Sequence, residues 1–365
     1  MLVILFDLGV KTRREDFYNM DYELESLLRE FKSPLTRMII IKGVRRVGKS
    51  SLLRVALSEI NTPHLLLDLR AVGPLTPEGF YDVFTSSLSD FLSKHKGLSK
   101  LLKRISGIEV MGVKVELTHK KLITLTNILK EINEWAQSEN TSVLLILDEA
   151  QELALIRGFD KLLAHIYDYL NNIKIVLAGS EVGLLSKLIG EGNPESPLFG
   201  RAYIEITIDR LPRDKAEDFL KKGFQQANIK VPDHEISEAV NTLNGIIGWL
   251  TYYGYYRLKM KHEEALQKTI HEGAKTAAQE LEHFLAPRHI ARRRYIEILR
   301  ITTRPSRWIE IKRSLRATLG LEISDKQVTN YLHELVKYGF LIKKNQEYVV
   351  ADPLLAEAIK KGYIT

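Results

Sequence analysis

The sequence contains no cysteine, which excludes a disulfide framework, a thiolate zinc site, an iron–sulfur cluster and a thiol nucleophile together. Such a chain suits a reducing compartment or a hot one, where thermolabile cysteine is avoided. No apolar run approaches the length of a transmembrane helix, so none is expected. The stretch from Met1 to Val10 is apolar but short, carries Asp7 and lacks a basic leader, which argues against a secretory signal. A cytoplasmic location is the expectation. Internal repeats and low-complexity tracts are also missing. At roughly 150 residues per domain, the 365 residues predict two or three domains, enough to fold without a covalent or metal staple.

The charge is unevenly placed. From Arg288 to the end there are 16 Lys and Arg against 8 Asp and Glu, which exceeds the +7 of the whole chain. The first 287 residues are therefore close to neutral. Such asymmetry suggests a separate C-terminal module that meets a polyanion, although a solvated basic face would look the same.

Five short apolar runs read as buried strands: 38–41, 65–69, 143–148, 173–178 and 203–207. Helical patterns at 80–94, 124–137 and 159–169 separate them, and Ile108–Leu117 reads as an inserted hairpin. Apolar strands alternating with helices predict an α/β fold with a parallel sheet covered on both faces. After Leu211-Pro212 the pattern is helical, with helices expected over 214–227, 234–243, 249–259 and 262–285. Pro287 closes that region. The expected division is 1–210, 211–287 and 288–365.

Gly43-Val44-Arg45-Arg46-Val47-Gly48-Lys49-Ser50 fits G-x-x-x-x-G-K-[ST] at every fixed position, after a strand and before a helix. The chemistry follows from the residue types. Glycines let backbone N–H groups turn inward as an anion nest, and a helix N-terminus adds its positive end. Lys49 then meets the β- and γ-phosphates, and the Ser50 hydroxyl ligates Mg²⁺. The expected ATP or ADP contacts are Gly43, Arg45, Arg46, Val47, Gly48, Lys49, Ser50 and Ser51. Asp148-Glu149 ends the third strand. A carboxylate at the tip of a buried strand is costly unless a cation meets it, so Asp148 is expected at Mg²⁺. Glu149 is placed to polarise an attacking water as general base, although two adjacent acids could also cap the following helix.

These motifs, with Leu145-Ile146-Leu147-Asp148-Glu149-Ala150-Gln151-Glu152 and Val176-Leu177-Ala178-Gly179-Ser180, resemble the archaeal AAA+ P-loop ATPases, relatives of the STAND and origin-recognition ATPases. The resemblance runs from about Phe17 to Ala358. It implies an all-α lid over 211–287 and places Asp16–Leu24 at the adenine-contact segment, so Phe17 and Tyr18 become candidate adenine contacts; for Phe17 a core staple for the helix that follows is the alternative. Asn19-Met20 replace the family's usual Gly-Arg there. Ser180 takes the position of sensor 1, near the γ-phosphate or the lytic water; a helix N-cap is the alternative. Arg201 takes the position of an arginine finger acting on a neighbouring subunit, which would imply a homo-oligomer; a local salt bridge is the alternative. In the lid turn Asn244–Trp249, Ile247 stands where relatives carry proline.

The basic tail resembles a winged helix-turn-helix. Ser306–Leu315 reads as one helix. A second opens at Ser324 with a capping-box pattern to Gln327 and buries Val328, Leu332, Leu335 and Val336. Lys326, Gln327, Asn330, His333 and Lys337 then face outward, and Phe340–Val350 forms a wing with Lys343 and Lys344 at its tip. Such a module would set the second helix in the major groove of duplex DNA and the wing against phosphates. A protein-contacting winged helix is the alternative. The expected function is Mg-ATP binding and hydrolysis coupled to a movement of the winged helix, either DNA-associated or as a signalling or scaffold switch.

Overall fold

The computed structural model describes residues 5–70, 75–95, 97–98, 108–111, 114–117, 121–180, 182–320 and 322–364. The first part of the chain runs α1 (Asp21–Lys32), β1 (Met38–Lys42), α2 (Lys49–Ser58), β2 (His64–Asp68) and α3 (Pro77–Lys94). The expected hairpin follows as β3 (Ile108–Met111) and β4 (Lys114–Leu117), antiparallel with Ile108 opposite Leu117. Then come α4 (Lys121–Ser138), β5 (Val143–Asp148), α5 (Phe159–Tyr169), β6 (Ile173–Gly179), α6 (Val182–Leu188) and β7 (Ile204–Thr207). The five long-range strands form one parallel sheet in the order β2-β5-β6-β1-β7. β1, β5 and β6 are buried at every residue, as their uninterrupted apolar runs require. The register sets Asp68 beside Asp148, and Asp148 beside Ala178. Four strand ends (the loop after β1, Asp68, Asp148 and Gly179) therefore open at one edge of the sheet.

Four helices follow: α7 (Arg213–Gln226), α8 (Asp233–Leu243), α9 (Ile247–Arg257) and α10 (His262–Leu285). Their core also takes Phe6, which sits edge-on to Phe219 and Phe224 at 5.7 and 4.9 Å. Phe6 fills space that only glycine leaves open. A Cβ on Gly223 or Gly254 would lie 2.2 or 2.3 Å from its ring.

The last part is α11 (Arg292–Ile301), β8 (Ser306–Arg307), α12 (Trp308–Leu319), α13 (Asp325–Lys337), β9 (Leu341–Lys344), β10 (Glu347–Val350) and α14 (Pro353–Lys360). Strands β8, β10 and β9 make the three-stranded sheet of a winged helix. Two residues expected in helix, Ser306 and Arg307, are instead strand and pair with Tyr348 and Glu347. The Ser324–Gln327 capping box is present. The apolar face of the second half of α10 (Ala274, Ala277, Ala278, Leu281, Phe284 and Leu285) is buried in the winged-helix core with Ile298, Ile311, Leu332 and Ile359. One helix thus belongs to two cores.

Candidate nucleotide-binding site

The site lies at the C-terminal edge of the sheet. The apolar run of β1 ends at Lys42, and the loop that follows delivers Lys49 to the first residue of α2. Lys49 is buried, and its Nζ donates to the carbonyls of Gly43 and Val44 at 2.9 and 2.8 Å. Burial lowers its ammonium to about 8, because the charged form loses solvation. Ser50 Oγ donates to Asp148 Oδ2 at 2.6 Å. Burial raises the Asp148 carboxyl above its ordinary range, against that hydrogen bond.

Glu149 has a left-handed backbone, φ 57° and ψ 44°, an unfavourable conformation for a side chain of this kind. Its Oε2 accepts from Ser180 Oγ at 2.8 Å and Gln151 Nε2 at 2.6 Å. Burial works to raise this carboxyl, but Lys49 and the two hydrogen bonds prevail and hold it low, as the carboxylate. Gln151 is itself buried, and its Oε1 has no hydrogen-bond partner.

Lys49, Ser50 and Glu149 line a cavity of about 410 Å³, with Phe17, Tyr18, Arg46, Gly48 and Ser51. The segment Leu5–Lys11 forms one wall and Ile247, Gly248, Thr251 and Tyr252 of α9 another. Tyr18 is fastened to α7, donating to Asp218 at 2.6 Å and to the Lys215 carbonyl at 3.0 Å. Ser51 Oγ accepts from the Lys11 backbone at 3.1 Å. Helix α9 touches the loop, where Gly248 N donates to the Arg46 carbonyl at 3.0 Å. Val47 is buried in the core beneath the loop.

The arginine pair is engaged differently from expectation. Arg45 and Arg46 donate to the two oxygens of Glu280 on α10, at 2.7 and 2.6 Å. Arg46 also lies 4.3 Å over the Trp249 ring and 3.7 Å from Asp352. Arg45 approaches Phe340 of the winged helix at 5.9 Å. It lines a second cavity of about 30 Å³, between the loop, α10 and the winged helix, and is absent from the lining of the larger one. Arg201 is also outside the larger cavity. Its Nε and Nη2 grip Asp168 at 2.9 and 2.5 Å, and Nη1 donates to the Pro197 carbonyl.

Three participants have no counterpart in the sequence reading: Gln151, Glu280 and Arg70. The guanidinium of Arg70 stands within 3.5 Å of Ser50, Asp148 and Glu149. On the winged helix, Lys326, Gln327, Asn330, His333, Lys343 and Lys344 are exposed as expected. Lys337 is not: it packs on α6, where a Cβ on Gly183 would lie 2.5 Å from Lys337 Cα.

The donor set fits Mg²⁺. A hydroxyl and a buried carboxylate supply hard oxygens, and the cation beside them, Arg70, stands 3.5 Å from Asp148. Among the described residues no group of three or more His, Asp or Glu side chains gathers into a cage.

Residues 17–252 match the profile of a family described as an ATPase domain predominantly from Archaea. The chain belongs to this family. Residues 289–351 match the C-terminal winged helix-turn-helix domain of MCM proteins. The chain is similar to the Walker-type ATPase of Pyrococcus abyssi, at 32% identity over 98% of this chain and 99% of that one, with a TM-score of 0.79. It shares its fold with the ADP form of the ORC2 protein of Aeropyrum pernix, at 14% identity, 97% and 98% coverage and a TM-score of 0.51. No curated protein matches. No helix among the described residues is long and apolar enough to cross a membrane.

Proposed function

We propose that this archaeal-type P-loop protein binds Mg-ATP and hydrolyses it. The observation that carries the reading is that Lys49, Ser50 and Glu149 line one cavity bounded by the helical region, with Asp148 hydrogen-bonded to Ser50 behind them. Lys49 supplies charge to the phosphates, leaving the Gly43 and Val44 carbonyls it now satisfies. Ser50 and Asp148 hold Mg²⁺, which when bound neutralises phosphate charge. Glu149 takes a proton from the attacking water, oriented by Ser180 and Gln151 through its far oxygen. Phe17 and Tyr18 are proposed at the base, as both line the cavity.

Lys49→Ala should abolish nucleotide binding in a folded protein. Glu149→Gln should keep Mg-ATP affinity and lose about 10²–10⁴-fold in hydrolysis. Unchanged hydrolysis in both variants refutes the assignment.

The contacts of Arg45, Arg46 and Asp352 favour an accompanying reading, in which nucleotide state is passed to the winged helix. We propose that the exposed face of α13 and the wing contacts duplex DNA once freed. A signalling switch that holds protein instead is the alternative, supported by the packing of Lys337 on Gly183.

A further inference from the structure

Arg70 lies two residues beyond the end of β2 and has no part in the hydrolysis proposed for Lys49, Ser50, Asp148 and Glu149. Its Nη2 is 3.2 Å from Ser50 Oγ and 3.5 Å from Asp148 Oδ2, and its Nη1 is 3.5 Å from Glu149 Oε1. The acids are buried, whereas the arginine side chain is 51% exposed. The guanidinium therefore reaches in from the solvent side and covers the two groups that fit Mg²⁺. It cannot shed its charge, so it leaves that position only by moving. Contacts at 3.5 Å are loose by hydrogen-bond standards. The 3.2 Å contact with Ser50 is matched at its own strand end, where Nε donates to Asp68 Oδ1 at 3.2 Å and the Arg70 backbone N–H donates to the same oxygen at 3.1 Å. Asp68 is thus a pivot that stays in place when the guanidinium lets go of Ser50 and Asp148.

We propose that Arg70 is a cis-acting arginine with two positions. In the nucleotide-free protein it is the counter-ion of the metal subsite. When Mg-ATP arrives it gives up Ser50 and Asp148 and neutralises the terminal phosphate. The second position rests on the nucleotide reading; the first does not. Arg201 is committed to Asp168 and Pro197 outside the cavity, whereas Arg70 of the same chain lines it and stands within 3.5 Å of Asp148 and Glu149. An arginine so placed is typically worth about 10³–10⁵-fold in hydrolysis.

The test compares full-length parent, Arg70→Ala and Arg70→Lys. Mn²⁺ alone, followed by electron paramagnetic resonance without nucleotide, should bind Arg70→Ala about tenfold more tightly than the parent, because a competing cation is gone. Arg70→Lys, a hydrated point charge, should fall between. In Mg²⁺, Arg70→Ala should lose about tenfold or more in affinity for a non-hydrolysable ATP analogue and less than about twofold for ADP. Unchanged Mn²⁺ affinity overturns the counter-ion role. Equal loss for the analogue and ADP, or no loss for either, overturns the phosphate role. A parent that binds neither nucleotide overturns the nucleotide reading and the phosphate role with it, while the Mn²⁺ comparison still decides the other half.

Discussion

Replacing Glu280 by glutamine tests whether the phosphate loop is mechanically joined to the rest of the chain. Both carboxylate oxygens are taken, by Arg45 at 2.7 Å and Arg46 at 2.6 Å. Burial alone would raise this carboxyl, but the two guanidiniums outweigh it and hold the group below the ordinary carboxylate range. The amide keeps the shape and removes the charge. Breaking a fully buried pair costs about 3–5 kcal/mol, and an exposed one about 0–1. Glu280 is 28% exposed, and Arg46 keeps Trp249 and Asp352 as neighbours. We therefore expect a loss of about 1–3 kcal/mol, read as a melting temperature lower by several degrees. A second effect has the opposite sign. Released Arg46 lines the nucleotide cavity, so affinity for a Mg-bound ATP analogue should rise by about fivefold or more, equivalent to a coupling of about 1 kcal/mol. By reciprocity, nucleotide then loosens the Glu280 contact. A thermodynamic cycle with Arg46→Ala isolates the pair. Additive energies to within about 0.5 kcal/mol, with analogue affinity unchanged, would refute the reasoning.

Three other outcomes are expected. Lys49 titrates at about 8 in the fold against 10.5 as a free side chain. Between those values the unfolded chain binds more protons, so the nucleotide-free protein should gain stability as pH rises through this window, while nucleotide affinity falls as the amine loses its charge. Melting curves and nucleotide titrations across that range check both, and Lys49→Met should remove both trends. If the winged helix binds duplex DNA, Lys343→Ala with Lys344→Ala should weaken all sequences alike and make the log-affinity against log-salt slope shallower by roughly two units; an unaltered slope counts against a wing–phosphate contact. With Arg201 held by Asp168, activity per molecule should be independent of protein concentration and little altered in Arg201→Ala. A parent rate that climbs with concentration, and a mutant rate that does not, would establish Arg201 as a finger acting between subunits.

The parallel sheet was legible because its strands are unbroken apolar runs, a signal that survives without tertiary context. The phosphate loop was legible because its spacing is dictated by the anion it fits. What escaped was long-range pairing. Glu280 lies 234 and 235 positions from its two arginines, and no local pattern marks such a partner. The same holds for Phe6, read only as part of an apolar start, although it plugs the space left by two distant glycines. Lys337 has the helical phase of an exposed residue; a neighbouring helix, invisible in that phase, covers it. Arg70 was the findable omission. Asp68-Leu69-Arg70 sets a carboxylate at a strand tip, as Asp148 does, with the opposite charge two residues on.

Helix α10 runs without a break for 24 residues, a rod of roughly 36 Å at about 1.5 Å per residue. Glu280 and the winged-helix contacts share the second half of this rod, so an adjustment beside the phosphate loop meets the winged helix within about two turns, while a tilt of about 5° there moves the far end by about 3 Å. The rod also carries angular phase. Inserting one residue between Ile270 and Ala274 would turn everything beyond it by roughly 100° about the helix axis, swinging Glu280 away from its arginines. The length of this helix should therefore be far less tolerant of insertion than its exposed side chains are of substitution.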